Sequence, residues 1–264
     1  MIKFISQFRI IILMGGCGNR LFQITRAVDL SREGYRVSII DIEDFPILYK
    51  IINIVNGWTK HSIWIDFDEL AKKLNIRKLH NANFFITFLI YIELINIKIF
   101  KRAERLNTAL LNDSRVCQIG YFQEKECLTS DSVEIVGSAL HDALNIKETQ
   151  MVDIVLHYRA GDFDDSHILE YEEVEIFLKY CNYECICITN DRKYVLNNFP
   201  RLKIHDGNSA VSDFKIIAKS SNIYPSDSTF CFWASLIANK FYNAKMYKIP
   251  ESYYWNYINL IIKD

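Results

Sequence analysis

The chain has 264 residues, of which half are hydrophobic, and its 31 Lys and Arg residues nearly balance 32 Asp and Glu residues. This length allows a large core, either in one α/β domain or in two smaller domains. A formal net charge of −1 provides no strong positive field, so we expect no nucleic-acid partner.

The seven cysteines are scattered along the chain and odd in number. Such usage fits a reducing compartment better than a disulfide framework, and we expect a cytoplasmic protein. Cys181, Cys185 and Cys187 lie close together, but they alternate with apolar residues and lack the second Cys or His pair of a zinc site. We interpret them as residues of a buried strand.

The first predicted elements are an apolar strand, FRIIILM at 8–14, and a helix from Asn19 to Glu33. A second strand, RVSIID at 36–41, follows the helix. Arg9 interrupts the apolar start and no small-residue cleavage site follows, so a secretory signal is not indicated. The order of these elements predicts the beginning of a βαβ unit.

The turn MGGCGNRLFQ at 14–23 can bring backbone N–H groups close to a phosphate or a sugar. Gly16 and Gly18 would line it, and Asn19 and Arg20 would add an amide and a cation. Leu21 stands where a dinucleotide fingerprint needs a small residue, which argues against an NAD-dependent dehydrogenase. The stretch also lacks the Gly-Lys-Ser/Thr ending of a P-loop. A tight structural turn is the alternative.

A second apolar stretch, FFITFLIYIELINIKIF, occupies residues 84–100. Glu93, Asn96 and Lys98 interrupt it, and it is short for a membrane-spanning helix. We predict a buried helix. Docking of this segment on a membrane surface is the functional alternative.

A charged stretch, NIKETQ at 145–150, follows a helical segment and precedes an apolar strand. We therefore predict two domains, residues 1–148 and 149–264. From there strands alternate with helices to the end of the chain, the strands being MVDIVLHY, ECICITND, RLKIHD, SNIYP and KMYKIP. This alternation predicts an α/β domain whose parallel sheet has helices on both faces.

The first predicted strand of the second domain ends in a polar cluster, VLHYRAGDFDD at 155–165. Alternation places His157 and Arg159 on one side of the strand, and parallel sheets bind ligands outside the carboxyl ends of their strands. We therefore expect an anion or nucleotide site, with a structural salt bridge as the alternative. Asp162 in the same cluster is a candidate general base.

Polar residues also follow other strands of this predicted sheet. Asp191 ends the strand in CITND, and Asp213 lies at a predicted helix start, where simple N-capping is the alternative. In YPSDSTFCFWASLIA at 224–238, a helix is predicted to start at Ser228 and Thr229. Its N–H groups and its dipole would point toward the same strand ends.

Together these motifs resemble those of glycosyltransferase family 11, the α-1,2-fucosyltransferases. The family's GGLGNQLFQ is similar to GGCGNRLFQ here, its HxRRGDY to HYRAGDF, its SDD to TND and its SNSTFSWWAA to SDSTFCFWAS. GYFQ at 120–123 also matches a segment that is common in the family. The ordered motifs span residues 15–235 and so cover most of the chain.

The resemblance implies a GT-B fold, in which two Rossmann-like α/β domains face a central cleft and the C-terminal one holds the donor. It implies an inverting, metal-independent transfer of L-fucose, or a related 6-deoxy sugar such as colitose, from GDP-fucose or GDP-colitose. We expect a galactose-type acceptor on a polyprenyl lipid, in bacterial O-antigen or surface polysaccharide synthesis. The protein would then work in the cytoplasm, with peripheral contact to the inner face of the cytoplasmic membrane.

The resemblance also implies roles for individual residues by their position in the motifs. Arg159 would contact the pyrophosphate, His157 the nucleotide and Asp213 the guanine, while Asn19 would approach the donor from the other domain. The predicted catalytic residues are Arg159, Asp162 and Asn19. The predicted donor-binding residues are Gly16, Gly18, Arg20, His157, Asp191, Asp213, Ser228, Thr229 and Phe230, and no metal ligand is predicted.

The chain departs from the family pattern at two positions. Ala160 replaces the second arginine of HxRRGDY, and Arg20 replaces the glutamine that follows Asn19. A cation at position 20 could compensate for the guanidinium lost at position 160. A transferase of another GDP-deoxysugar and a catalytically inactive GDP-sugar-binding module stay as alternatives.

Overall fold

The computed structural model describes residues 7–46, 50, 63–80, 86–90, 92, 116–124, 127–146, 152–160, 169–207 and 209–261. The chain divides into two compact units, Met1–Ala143 and Leu144–Asp264. This division falls just before the charged stretch 145–150, where the sequence predicts a boundary after residue 148. Each unit is an α/β structure built on a parallel sheet.

The sheet of the first unit has the strand order β3-β2-β1-β4, with every described pair parallel. Its strands are β1 (Phe8–Leu13), β2 (Arg36–Asp41), β3 (Arg77–Lys78) and β4 (Cys117–Gln118), and its helices are α1 (Cys17–Arg32), α2 (Phe67–Lys73) and α3 (Ser130–Ala143). Ile11, Ile12 and Leu13 are fully buried, because helices cover a central parallel strand on both faces.

The sheet of the second unit has the order β7-β6-β5-β8-β9, and its pairs are also parallel. Its strands are β5 (Val152–Tyr158), β6 (Ile186–Thr189), β7 (Lys203–Ile204), β8 (Ser220–Tyr224) and β9 (Lys245–Met246). Its helices are α4 (Tyr171–Tyr180), α5 (Arg192–Asn198), α6 (Ala210–Ala218), α7 (Thr229–Tyr242) and α8 (Asn256–Ile261). In both units the strand that comes first is central and the chain winds outward in both directions, which is the Rossmann order. The predicted α/β class with two Rossmann-like units is confirmed.

The residues of β5 and of the chain that follows it alternate between two layers. Leu156, Tyr158 and Ala160 are buried in a cluster with apolar residues of α4 and α5. His157 contacts Ser226 and stacks on Phe230 of α7, so it lies on the other face of the sheet. Alternation along a strand thus separates a packing face from a polar face.

The apolar segment 84–100 lies mostly outside the described residues. Its described part, 86–90 and 92, is helical, with Ile90 fully buried in the core of the first unit. Phe88 is 49% exposed and Ile92 is 37% exposed, so this part has one packed side and one open side. In the described part of the chain, no helix is both long enough and apolar enough to cross a membrane.

Candidate functional site

Three adjacent strands of the second unit bring polar groups to one edge of the sheet. β5 pairs with β6 through Tyr158↔Thr189 and with β8 through Leu156↔Tyr224, so the carboxyl ends of all three strands meet. Residues from these three ends form what we call the strand-end cluster: His157, Arg159, Asn190, Ser226 and Ser228. Ligands of open parallel sheets bind at this kind of edge.

Arg159 and the start of α7 converge within the strand-end cluster. Nη1 of Arg159 donates a hydrogen bond to Oγ of Ser228 at 3.2 Å. Ser228 is the N-cap residue of α7, and the first turn of that fully described helix contains no acidic residue. A helix N-terminus carries a partial positive charge and several N–H groups without intrahelical partners. The guanidinium and the helix end therefore favour an anion at the same place.

His157 is a buried, neutral member of the cluster. Its Nδ1 lies 2.6 Å from Oγ of Ser226, and its ring stacks on Phe230 with centroids 5.8 Å apart. Burial, and then the positive charge of Arg159, lower the pKa of His157 from 6.5 to about 3. The imidazole is therefore uncharged at physiological pH, and it acts in this site as a hydrogen-bonding group.

Asn190 fixes the backbone immediately after Arg159. Its Oδ1 accepts a hydrogen bond from the Ala160 N–H at 2.9 Å, and its Nδ2 donates to the Ala160 carbonyl at 2.6 Å. The sequence instead predicts Asp191 as the donor-binding residue of this motif. Oδ1 of Asp191 accepts from the Tyr194 N–H at 2.9 Å and caps α5. The amide of Asn190, beside Asp191, is therefore the group that bonds the backbone of Ala160.

Asp213 lies in the first turn of α6, whose N-cap residue is Ser209. Its Oδ1 is 3.9 Å from Nε2 of His205, and burial raises the pKa of this carboxyl group although His205 opposes the shift. The backbone at Gly207 approaches both side chains, since a Cβ atom there would overlap Oδ1 of Asp213 and lie 2.8 Å from the His205 ring. The N-capping alternative for Asp213 is thus wrong, because Ser209 holds that position and its side chain accepts from the Ser212 N–H.

The remaining predicted site residues of the second unit are Phe230, Thr229 and Asp162. The ring of Phe230, on α7, meets the Phe214 ring of α6 edge-on at 5.4 Å and so links these two helices. The same ring stacks on His157. Thr229 is the first residue of α7 and is half-buried. Asp162 lies outside the described residues. Where the structure describes the chain, no group of three or more His, Cys, Asp or Glu side chains could hold a metal ion.

In the first unit, the glycine turn and GYFQ meet at the carboxyl ends of the adjacent strands β1 and β4. Asn19 Oδ1 accepts a hydrogen bond from Gln123 Nε2 at 2.9 Å. Gln23 accepts from the Met14 N–H at 2.8 Å and donates to the Gly120 carbonyl at 2.9 Å. Two motifs about a hundred residues apart in sequence are thus interlocked. The sequence shows both motifs, but not that they touch.

The glycines of this turn have distinct positions. Gly15 adopts φ +76°, and a Cβ atom there would lie 3.1 Å from Asn19 Nδ2 and 3.3 Å from the Tyr121 ring, so this position requires glycine. Gly16 is the N-cap residue of α1, and Gly18 is buried in its first turn. The turn therefore holds its residues in a fixed arrangement around Asn19.

The structure gives Arg20 a role other than the predicted donor contact. Its side chain is fully buried, Nη1 binds Asp41, and Nη2 binds Oε1 of Glu43 at 2.7 Å. Its Nε donates to the Gly15 carbonyl at 2.9 Å. The guanidinium is neutralised by two carboxylates at the end of β2, so we assign it to holding the glycine turn rather than to compensating for Ala160.

A separate cavity of about 360 Å³ lies beside the edge strand β9. Phe177, Tyr180 and Tyr247 line it, and Phe177 stacks on Tyr224 with centroids 4.6 Å apart. Its amide side chain, Asn222, donates to the Asp153 carbonyl at 3.1 Å. No residue of the strand-end cluster is among those that line this cavity.

No protein-family model matches this chain, and no curated protein matches it in sequence. Among solved structures, the E. coli heptosyltransferase WaaC with ADP is similar over 97% of this chain and 97% of that chain, at 11% sequence identity and a TM-score of 0.41. A likeness at this level assigns neither an activity nor a substrate to this chain.

The buried ion pair of Arg20 predicts a large loss of stability on its removal. Arg20→Met should lower the free energy of unfolding by about 3–5 kcal/mol, because Asp41 would stay buried without its cation. Arg32→Met is the matched control on the same helix: its partner Asp131 is exposed, so the loss should be below about 1 kcal/mol. Urea unfolding measures both. Equal losses would contradict a structural role for Arg20, and adding Asp41→Asn to Arg20→Met should recover part of the stability.

The neutral His157 predicts an acid-sensitive fold. Between pH 6.5 and about pH 3 the unfolded chain binds this proton and the folded chain does not, so the free energy of unfolding falls as the pH falls through this window. From pH 6.5 to 4.5 the loss from this group should be about 2–3 kcal/mol. His157→Asn keeps a partner for Ser226 without the titration, so urea unfolding of the variant should show that much less dependence on pH. Equal pH dependence in both proteins would refute a neutral His157.

Proposed function

We propose that this protein is an inverting glycosyltransferase, which moves L-fucose or a related 6-deoxy sugar such as colitose from a GDP-sugar to a galactose-type hydroxyl. The observation that carries the proposal is the contact between Arg159 and Ser228 at the N-terminus of α7. It supports an anion site at the carboxyl edge of a Rossmann-like sheet, where a nucleotide diphosphate is a suitable ligand. The choice of a GDP-deoxysugar rests on the motif resemblance to glycosyltransferase family 11.

The chemistry of glycosyl transfer needs this kind of positive site. Breaking the bond between the sugar and the diphosphate builds negative charge on GDP and positive charge on the sugar. Fixed donors around the leaving β-phosphate stabilise this state more than the ground state, and only such differential stabilisation accelerates the reaction. Arg159 and the N–H groups of α7 would supply this charge, and the proposed reaction therefore needs no metal ion.

The other groups of the second unit would bind the nucleotide. His157 is neutral, so it can hydrogen-bond the nucleotide while Arg159 carries the positive charge. The half-buried carboxyl group of Asp213 is a suitable acceptor for the N–H groups of guanine. Ser228, Thr229 and Phe230 would surround the phosphates at the start of α7. These assignments follow the roles that the resemblance implies.

The roles that we propose for the first unit and for the acceptor rest on the motif resemblance. Asn19 would contact the donor from the glycine turn, and Asp162 would serve as the general base. We propose an acceptor on a polyprenyl lipid, used in O-antigen or surface polysaccharide synthesis at the inner face of the cytoplasmic membrane. The exposed Phe88 and Ile92 are compatible with peripheral contact to that membrane.

A GDP-sugar-binding module without turnover is the second candidate, and Ala160 favours it. The family motif has an arginine at this position, whereas the Ala160 side chain is fully buried in the cluster with α4 and α5. One cation of the family pattern is therefore missing from this chain. Turnover separates the two candidates, since a module would bind the GDP-sugar without transferring the sugar to an acceptor and without releasing GDP.

A panel of ligands tests the nucleotide and the sugar. GDP, GDP-fucose and GDP-colitose should raise the melting temperature, because a ligand at 100 times its Kd stabilises the folded state by about 2.7 kcal/mol. UDP-sugars and NAD are the controls and should not raise it. The active protein should also release GDP from one of the GDP-sugars when a galactosyl acceptor is added, with or without EDTA. A shift with NAD alone would overturn the proposal.

Removal of the Arg159 guanidinium tests the anion site. Arg159→Ala should lower turnover by about 10²–10³-fold, which is typical for the loss of one donor to a developing negative charge. Lys193→Ala removes an exposed cation from α5 of the same unit and should leave turnover unchanged. Turnover of Arg159→Ala at the level of the wild-type protein would exclude this residue from catalysis.

A further inference from the structure

We infer that Asp227 is a positioning residue. Its hydrogen bonds to the C-terminal segment 252–255 hold the two serine hydroxyls of the strand-end cluster in place. Its expected effect on GDP binding rests on the proposed function. Its effect on the cluster itself does not, because the contacts concerned exist in the protein alone. The proposed reaction leaves this carboxylate unused.

Asp227 is the central residue of a tight turn between β8 and α7. The Ser228 N–H donates to the Ser226 carbonyl at 2.9 Å, which closes a three-residue γ-turn around Asp227. The hydroxyl before it lies 2.6 Å from His157 Nδ1, and the hydroxyl after it accepts from Arg159 at 3.2 Å. The orientation of this single turn therefore sets both serine contacts of the cluster.

The carboxylate of Asp227 is held from the C-terminal side of the chain. Oδ1 accepts hydrogen bonds from the Tyr254 hydroxyl at 2.8 Å and from Trp255 Nε1 at 3.1 Å, and Oδ2 accepts from the Ser252 hydroxyl. These three donors lie 25 to 28 residues away in sequence. Capping of α7 would not require donors from a distant segment. Asp227 thus joins the turn to a distant segment.

The anchoring segment is itself part of the core. Tyr254 is 7% exposed and Trp255 is fully buried. Both rings meet Phe232 of α7 edge-on, with centroids 5.4 and 5.6 Å apart. The donors therefore come from packed side chains, and such groups hold an acceptor in one orientation at little further entropic cost.

The residue type at this position agrees with the contacts. The resembled motif SNSTFS has an asparagine where this chain has Asp227. A carboxylate has only acceptor sites, so it can accept from all three donors at once. An amide would turn one N–H group toward a donor and leave it unsatisfied. We therefore expect the carboxylate and the 252–255 segment to work as one unit in this chain.

Two isosteric variants test the inference. Asp227→Asn replaces one acceptor oxygen by a donor, and Tyr254→Phe removes one hydroxyl while keeping its ring. Lys248→Met is the matched control, because it detaches the same C-terminal region from Glu173 on α4 without touching Asp227. Circular dichroism at the working temperature identifies the folded variants, and Tyr254→Phe carries the test if Asp227→Asn does not fold.

The first readout is the ¹⁵N signal pair of the His157 imidazole, assigned by its loss in His157→Asn. We expect both variants to shift or broaden this pair, because the bond between Ser226 and Nδ1 is loosened, while Lys248→Met keeps the wild-type signals. Wild-type signals in both variants would overturn the inference. This readout needs no ligand, so it decides the role of Asp227 even if the wild-type protein binds no GDP.

The second readout is the affinity for GDP, measured by calorimetry. If the wild-type protein binds GDP, both variants should bind it about tenfold or more weakly, because the hydroxyls and the guanidinium no longer converge. Unchanged affinity in both would contradict the inference. Failure of the wild-type protein to bind GDP would instead contradict the proposed function, so the two failures are distinguishable.

Discussion

The alternation of side chains along β5 is the constraint on which the candidate site depends. Leu156, Tyr158 and Ala160 enter the apolar cluster with α4 and α5, so His157 and Arg159 must face α6 and α7. A shift of one residue in register would bury Arg159 in that cluster and expose Tyr158 on the polar face. The large apolar residues therefore fix the site indirectly, because their burial allows only one register.

The strand-end cluster is polar, yet it is held by buried contacts. Ser226 and Ser228 are each 1% exposed, and the ring of Phe230 packs between His157 and α6. A buried imidazole is stable here because it is neutral and hydrogen-bonded, whereas an unpaired buried charge would be costly. The strand-end cluster thus combines one neutral ring with one guanidinium.

The sequence predicted what depends on local pattern. Alternation gave the shared face of His157 and Arg159, and the capping residues gave the start of α7 at Ser228 and Thr229. Contacts between distant segments could not be read from such patterns. Nothing near Arg20 in sequence shows that Asp41 and Glu43 neutralise it, and Asn19 meets Gln123 across 104 residues. Polarity at the end of β6 also did not decide between Asn190 and Asp191. Only the fold shows that Asn190 is the one that bonds the chain after the neighbouring strand β5.

The structure explains why position 160 holds alanine instead of the arginine of the family motif. The same surroundings prevent this position from supplying a cation. The side chain at position 160 enters the apolar cluster, and Asn190 binds both backbone groups of this residue. A guanidinium attached to this backbone would have to be buried among apolar side chains, at a cost of several kcal/mol. Arg20 does not replace it, because two carboxylates already neutralise that cation. Under the proposed function, the charge of the diphosphate would therefore be met in the second unit by Arg159 and the helix end, which is why the orientation of the Ser226–Ser228 turn matters more here than in a site with two arginines.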